Sequence, residues 1–267
     1  MDLSNKTLWV FDVDNTMILD VEHPTPFEDA LKLWKALEKK GVTLAILTNV
    51  GRLSSRQVHQ AVVKAGFNIP LENVYTAGAA AAAYVHNRKP GARCFIIGEG
   101  GAQEDFIARG LDVTNNPPID YVAVGADRGM TFHELNFATK MVQKGAPIIC
   151  ISGSRDYPGI YLGYEDMYIG ERSIVAAIEH ATGAKAVTVG KPLPEIVVET
   201  VKILGFKVSD AVMVGDNPHS DIAGGNAAGM TTVLVHRPDN IIDFESGDLD
   251  TTPSLEVQSL EEVIAML

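Results

Sequence analysis

Cysteine is nearly missing from these 267 residues, with Cys94 and Cys150 the only two. Two thiols cannot complete a four-ligand structural zinc site alone, and a disulfide framework is not indicated. Both read as buried thiols. Basic residues are scarce as well, 22 Lys and Arg against 34 Asp and Glu, for a formal net charge of −12. That balance argues against nucleic acid or an anionic membrane surface as a partner. An anionic small substrate stays open, because a local site can oppose the global sign. No apolar run is long enough to span a bilayer. The opening MDLSNKTLWV is polar before it is apolar, unlike a secretory signal, so the cytoplasm is the expected location. What is present is an ordinary soluble composition, 46% apolar and 21% charged, in a length that suits one large or two modest domains.

Short apolar runs alternate with helical patterns. Leu8–Val13 reads as a strand, Phe27–Lys40 as an amphipathic helix stopped by Gly41, and Val42–Leu47 as a second strand. Ser54–Ala65 reads as a helix closed by Gly66, with a third strand at Val74–Thr76. The pattern resumes with strands at Ala186–Val189, Ala211–Val214 and Thr231–Val235. Helices are expected at Pro194–Leu204, Ser220–Ala228 and Ser259–Leu267. Such βαβα order predicts an α/β fold, a Rossmann-like three-layer core with a parallel sheet between helices. The middle is organised separately, with strands in RCFIIGEGG, IDYVAVGADR and APIICIS and helices in TFHELNFATKMVQKG and ERSIVAAIEHATG. Residues 89–182 are therefore expected to form a smaller inserted α/β domain, leaving 1–88 and 183–267 as the core.

Four predicted strands end in polar residues. LWVFDVDNT delivers Asp12 and Asp14, which alternation along a strand would put on one face. LAILTN delivers Thr48 and Asn49, VTVGKP delivers Lys191, and VMVGDNPHSD delivers Asp216 with Asp221 five residues on. Singly each has a plain structural reading: a turn hydroxyl, a solvated lysine, a helix-capping acid. Together they occupy the carboxyl ends of parallel strands, where open α/β sheets bind ligands.

In this order the four segments resemble the four motifs of the haloacid dehalogenase superfamily of phosphatases. Asp12–Thr16 is similar to the first motif, Thr48 to the second, Lys191 to the third and GDNPHSD to the fourth. The large insert between the second and third motifs resembles the cap of the NagD-like, p-nitrophenyl phosphatase branch. GEGG, VGADRGMT, SIVAAIEHATG and VGKPLPEI add to that likeness. The resemblance implies hydrolysis of phosphorylated small molecules, with Asp12 the nucleophile that forms an aspartyl-phosphate and Asp14 the general acid and base. A carboxylate 4 Å from one phosphate charge is repelled by about 4 kcal/mol at an effective dielectric near 20. Lys191 offsets too little, so a divalent cation is expected, and an all-oxygen donor set suits Mg2+. The resemblance implies ligation by the Asp12 and Asp216 carboxylates and the Asp14 carbonyl, with Asp221 behind them. Thr48, Asn49 and Lys191 would bind the phosphoryl group. Subunit contacts in this branch often run through the cap, so a homo-oligomer formed there and a monomer both stay open.

Several positions depart from the branch. TNVGR replaces the Thr-Asn-Asn-Ser of many relatives, and Arg52 either stands near the leaving group or is a solvated helix-start residue. ISGSRDYP replaces a common cap segment, so Ser152, Arg155 and Asp156 either face the leaving group or form a surface loop. Rival readings are weaker. A dinucleotide fingerprint in CFIIGEGGAQEDF would need glycine where Gln103 stands. A phospho-aspartate receiver module without turnover shares the residue types, but orders the acidic pair before the phosphorylated Asp and the lysine last. A dehalogenase on the same fold would lack the acid at Asp14.

Overall fold

Leu8–Phe11 is a four-residue strand buried along its whole length, and it lies third from one edge of a six-stranded sheet. This computed structural model describes residues 1–161, 164–237 and 248–267. Across the sheet the strands run Leu255–Val257, Thr231–Val235, Ala211–Gly215, Leu8–Phe11, Thr43–Thr48 and Val74–Thr76. Leu8–Phe11 pairs in parallel with both neighbours, Phe11 lying beside Val214 on one side and Ile46 on the other. Strands buried on both faces are expected to be continuously apolar, and AVMVG is. The helix Glu28–Lys40 presents Ala30, Leu33, Trp34 and Leu37 to the core, a spacing of one helical face. Trp34 packs against Phe11 with ring centroids 5.3 Å apart and against Phe67 at 5.4 Å, edge-on. Parallel registry brings the carboxyl ends of three central strands, Phe11, Thr48 and Gly215, to one edge of the sheet.

The chain divides into two compact units: residues 1–48, 56–75 and 191–267 in the first, and residues 49–55 and 76–190 in the second. The second unit has its own parallel sheet, ordered Val187–Thr188, Ile148–Cys150, Tyr121–Val124, Arg93–Ile97 and Asp112–Val113. One side is packed by the small-residue helix Ala77–Arg88 with Ala102 and Phe106, the other by Ala138, Met141, Ile174 and Ile178. Both cysteines are buried in it, Cys94 and Cys150 at opposite faces, and burial pushes each thiol up to about 12.

Residues 49–55 belong to the second unit because they are fastened there. The Gly101 amide donates to the Arg52 carbonyl at 3.1 Å, Ser54 Oγ donates to Glu104 at 2.8 Å, and the Ser55 amide donates to Asp105. A Cβ on Gly101 would fall 2.3 Å from the Arg52 oxygen and the Leu53 carbonyl carbon. The glycine in GEGG thus serves the close passage of two backbones, and the dinucleotide reading loses its motivation.

Several sequence expectations are shifted. The unit boundaries fall at 48/49, 55/56, 75/76 and 190/191 rather than at 88/89 and 182/183. The helix Ala77–Arg88 goes with the second unit because Ala77, Ala81, Ala82 and Val85 bury against that unit's core. The strand expected at 186–189 is Val187–Thr188, and it pairs with Ile149 and Cys150 in the second sheet, not with the core. The antiparallel hairpin Asp156–Tyr161 with Tyr164–Ile169 stands where a loop was one reading of ISGSRDYP. The closing helix is a single turn, Glu261–Ile264, after an unforeseen strand at Leu255–Val257. Among the described residues no helix is long and apolar enough to cross a membrane.

Phe67 is fully buried against Trp34. Phe67→Ala is expected to cost about 3–5 kcal/mol, read as a lower urea midpoint at unchanged slope. A loss below about 1 kcal/mol would contradict the aromatic packing as described.

Candidate active site

The first strand stops at Phe11, but its ladder continues one step, the Asp12 amide donating to the Val214 carbonyl at 2.9 Å. Asp12 is thereby held at the sheet edge, opposite the end of Ala211–Gly215. The chain then turns tightly. The amides of Thr16, Met17 and Ile18 all converge on the Val13 carbonyl, and Asn15 takes a left-handed φ of 56°, which asparagine tolerates. Asp14 lies in this turn, so the strand alternation invoked to align it with Asp12 does not reach it.

Lys191 is the centre of the arrangement. Its side chain is 1% exposed, and Nζ donates to Asp12 Oδ1 at 2.7 Å, Asp221 Oδ1 at 2.6 Å and the Leu47 carbonyl at 2.8 Å. An ammonium has three N–H donors, and three oxygens receive them. Burial disfavours its charge, yet Asp12 and Asp221 outweigh burial and hold the lysine protonated, its pKa raised. Asp216 follows Gly215 and is buried. It accepts from Thr16 Oγ1 at 3.1 Å.

Asp12, Asp216 and Asp221 each bring a carboxylate oxygen within 4.8 Å of the other two. Burial, and then the neighbouring carboxylates, push Asp216 well above its usual range. Asp12 is pushed up to about 6, with burial first, Asp221 adding to it and Lys191 opposing. Three buried acids thus lie together, and two of them share one buried ammonium. An all-oxygen donor set with surplus negative charge is the chemistry a hard divalent cation requires, so these residues fit Mg2+.

The fourth segment is shaped for Asp221. Pro218–Ile222 forms a turn of π-helix, capped by Asn217, whose Oδ1 accepts from the amides of His219 and Ser220. The helix expected from Ser220 begins only at Ala223. Asp221 Oδ2 accepts from the Asn217 amide at 3.1 Å, leaving Oδ1 for Lys191. A Cβ on residue 215 would fall 2.3 Å from Asp221 Oδ2, so only glycine admits the carboxylate there.

Of the residues singled out in the sequence, the structure gathers Asp12, Lys191, Asp216 and Asp221 directly. Thr48 is the buried last residue of its strand, one residue past the Leu47 carbonyl that Lys191 reaches. Asn49 and Arg52 belong to the second unit. Asn49 Oδ1 packs where a Cβ on Gly190 would lie 2.7 Å away, and Arg52 stands 3.7 Å from Glu99 with its guanidinium 5.6 Å from the Tyr157 ring centre. In the same unit Ser152 is buried with its hydroxyl bonded to Glu171, a carboxyl that burial pushes up. Two contributors escaped the sequence reading. Thr16 is visible in DVDNT but reads as a turn residue, whereas its hydroxyl holds Asp216. The Leu47 carbonyl is backbone and leaves no residue-type signal.

Comparison with known proteins bears on the family. Residues 9–112 match a family described as haloacid dehalogenase-like hydrolase, and residues 188–245 match a second HAD hydrolase-like family. The 5'-nucleotidase YutF of Bacillus subtilis is 30% identical over 258 residues, 96% of either chain. An acid sugar phosphatase of Staphylococcus aureus is 28% identical over 260 residues, 97% of either chain. Among solved structures, a p-nitrophenyl phosphatase from Archaeoglobus fulgidus superposes with a TM-score of 0.86 at 25% identity, covering 98% of this chain and all of that one. NagD from E. coli K-12 superposes at 0.80, also 25% identical, over 97% and 98% of the two chains. The chain belongs to the haloacid dehalogenase-like hydrolases, among the phosphatases whose sequence and fold it shares.

Proposed function

We propose that this chain hydrolyses small phosphomonoesters with Mg2+ through an aspartyl-phosphate on Asp12. One observation carries the reading: a buried lysine clamped between Asp12 and Asp221, with Asp216 beside them, at the carboxyl edge of a parallel sheet. The relatives named for action on nucleotides, sugar phosphates and p-nitrophenyl phosphate have the monoester as their common bond.

Asp12 attacks phosphorus and the ester oxygen leaves. Lys191 fixes one Asp12 oxygen at 2.7 Å, so the carboxylate meets phosphorus in one orientation and without side-chain entropy left to lose. Asp14 gives its proton to the departing alkoxide, then takes one from the water that releases phosphate. Thr48 and Asn49 donate to phosphoryl oxygens, where charge spreads in the transition state. Asp12, Asp216 and the Asp14 carbonyl hold the cation, and Thr16 keeps Asp216 in place. Bound there, Mg2+ supplies the positive charge that lets an anionic ester approach three carboxylates. Asp221 orients Lys191. The second unit corresponds to the family's inserted cap domain, and Arg52 lies within it.

A phospho-aspartate receiver without turnover finds no support in these relatives, which are enzymes by name. A dehalogenase has no use for an acid at Asp14.

Purified protein is expected to release p-nitrophenol from p-nitrophenyl phosphate with Mg2+ present and to stop on chelation, with recovery when Mg2+ is restored. Activity indifferent to chelation would contradict the cation's role. Asp12→Asn should abolish turnover while circular dichroism and the melting temperature stay near wild type; more than a few per cent of residual activity counts against the nucleophile. Asp14→Asn should slow alkyl phosphates at least about tenfold more than p-nitrophenyl phosphate, because only the poorer leaving group needs a proton. Equal slowing on both esters removes the acid role.

A further inference from the structure

Arg237 lies two residues beyond the strand Thr231–Val235, outside all four motifs, and its side chain is only 8% exposed. Its guanidinium makes four hydrogen bonds within the first unit. Nη1 and Nη2 donate to the two Asp29 oxygens at 3.0 and 3.1 Å. Nε donates to the Asn15 carbonyl and Nη2 also to the Thr16 carbonyl, each at 3.0 Å. One face lies 4.0 Å from the centre of the Phe27 ring. A partner for Asp29 alone would need one edge of the fork. Here the rest of it is spent on two consecutive carbonyls of the catalytic turn.

Those carbonyls belong to the residues between the acid and the cation site. Asn15 follows Asp14 directly and holds the turn's left-handed φ, and Thr16 sends its hydroxyl to Asp216. Three internal bonds of the turn collect on Val13, and the Asn15 amide donates to the Leu19 carbonyl at 3.3 Å. Asp29 is itself tied down: it accepts from the Leu260 amide at 2.9 Å, from Ser259 Oγ at 3.3 Å and from the Ala30 amide at 2.8 Å. The brace therefore runs from the C-terminal segment through Asp29 and Arg237 into the turn that bears Asp14.

We infer that Arg237, seated on Asp29 and Phe27, is a positioning residue that fixes the Asp14–Thr16 turn by clamping the Asn15 and Thr16 carbonyls. The inference rests on the proposed acid role of Asp14. A lysine carries the charge but offers no planar fork, so it cannot serve both carbonyls and both carboxylate oxygens at once. A merely structural ion pair would lower stability and slow every substrate alike. A positioning clamp slows selectively, since proton delivery depends on where Asp14 stands while p-nitrophenolate leaves without it.

The test compares Arg237→Met, Arg237→Lys and Asp29→Asn with wild type on p-nitrophenyl phosphate and on a primary alkyl phosphate. Hydrogen exchange is followed over residues 13–19. For Arg237→Met, kcat on the alkyl ester is expected to fall about tenfold or more beyond its fall on the nitrophenyl ester, with KM within about twofold. Exchange across the turn should quicken, and Arg237→Lys should recover part of the selectivity. Should Arg237→Met fail to fold, Arg237→Lys and Asp29→Asn carry the same comparison with milder changes. A folded variant with the wild-type ratio between the two esters, or with unaltered exchange over the turn, overturns the inference alone. A wild-type protein inactive on both esters would overturn the hydrolase reading and this inference with it.

Discussion

Three carboxylates within 4.8 Å of one another, two of them bonded to one buried ammonium, are the constraint to which the rest of the site answers. In a dry interior like charges repel strongly, and a surplus of negative charge persists only where structure enforces it. The parallel sheet brings Asp12 and Asp216 to adjacent strand ends, one ladder step apart. Glycine at 215 lets Asp221 close against the backbone, and the π-helical turn aims its second oxygen at Lys191. Thr16 donates to Asp216, and the Leu47 carbonyl accepts from Lys191. Under the proposed function, a cation would balance this surplus and let an anionic substrate approach.

Support for that cluster comes from elements that carry no chemistry. The aromatic packing of Trp9, Phe11, Trp34 and Phe67 stands behind the central strand. Arg237 braces the turn after Asp12 from a position more than two hundred residues away in sequence. Residues 49–55 begin immediately after Thr48 yet are bonded into the second unit through Gly101, Glu104 and Asp105. The chain thus leaves the carboxyl edge of the first sheet and enters the other unit within one residue.

Much of this was legible from residue type and order. Asp12 and Asp216 each follow a short, wholly apolar run of the kind that marks a buried parallel strand, whereas Lys191 follows VTVG and Asp221 comes five residues after Asp216. The alternation that seemed to align Asp14 with Asp12 was not a safe guide, because the strand ends at Phe11 and a backbone turn takes over. The carbonyl contacts of Leu47, Asn15 and Thr16 had no signature, since any residue supplies a carbonyl. Arg237 was invisible for a related reason: a single arginine after a strand is ordinary until its partners are known. The hairpin at 156–169 and the allegiance of Ala77–Arg88 depend on long-range packing, which local periodicity does not encode.

The central claim is that the acidic surplus around Lys191 exists to hold a divalent cation, and calorimetric titration of Mg2+ into substrate-free protein tests it most directly. The account predicts saturable binding at one site per chain, lost when Asp216 is replaced by asparagine in a protein that still folds. No heat of binding together with a melting temperature indifferent to Mg2+, or equal binding by Asp216→Asn, would contradict it.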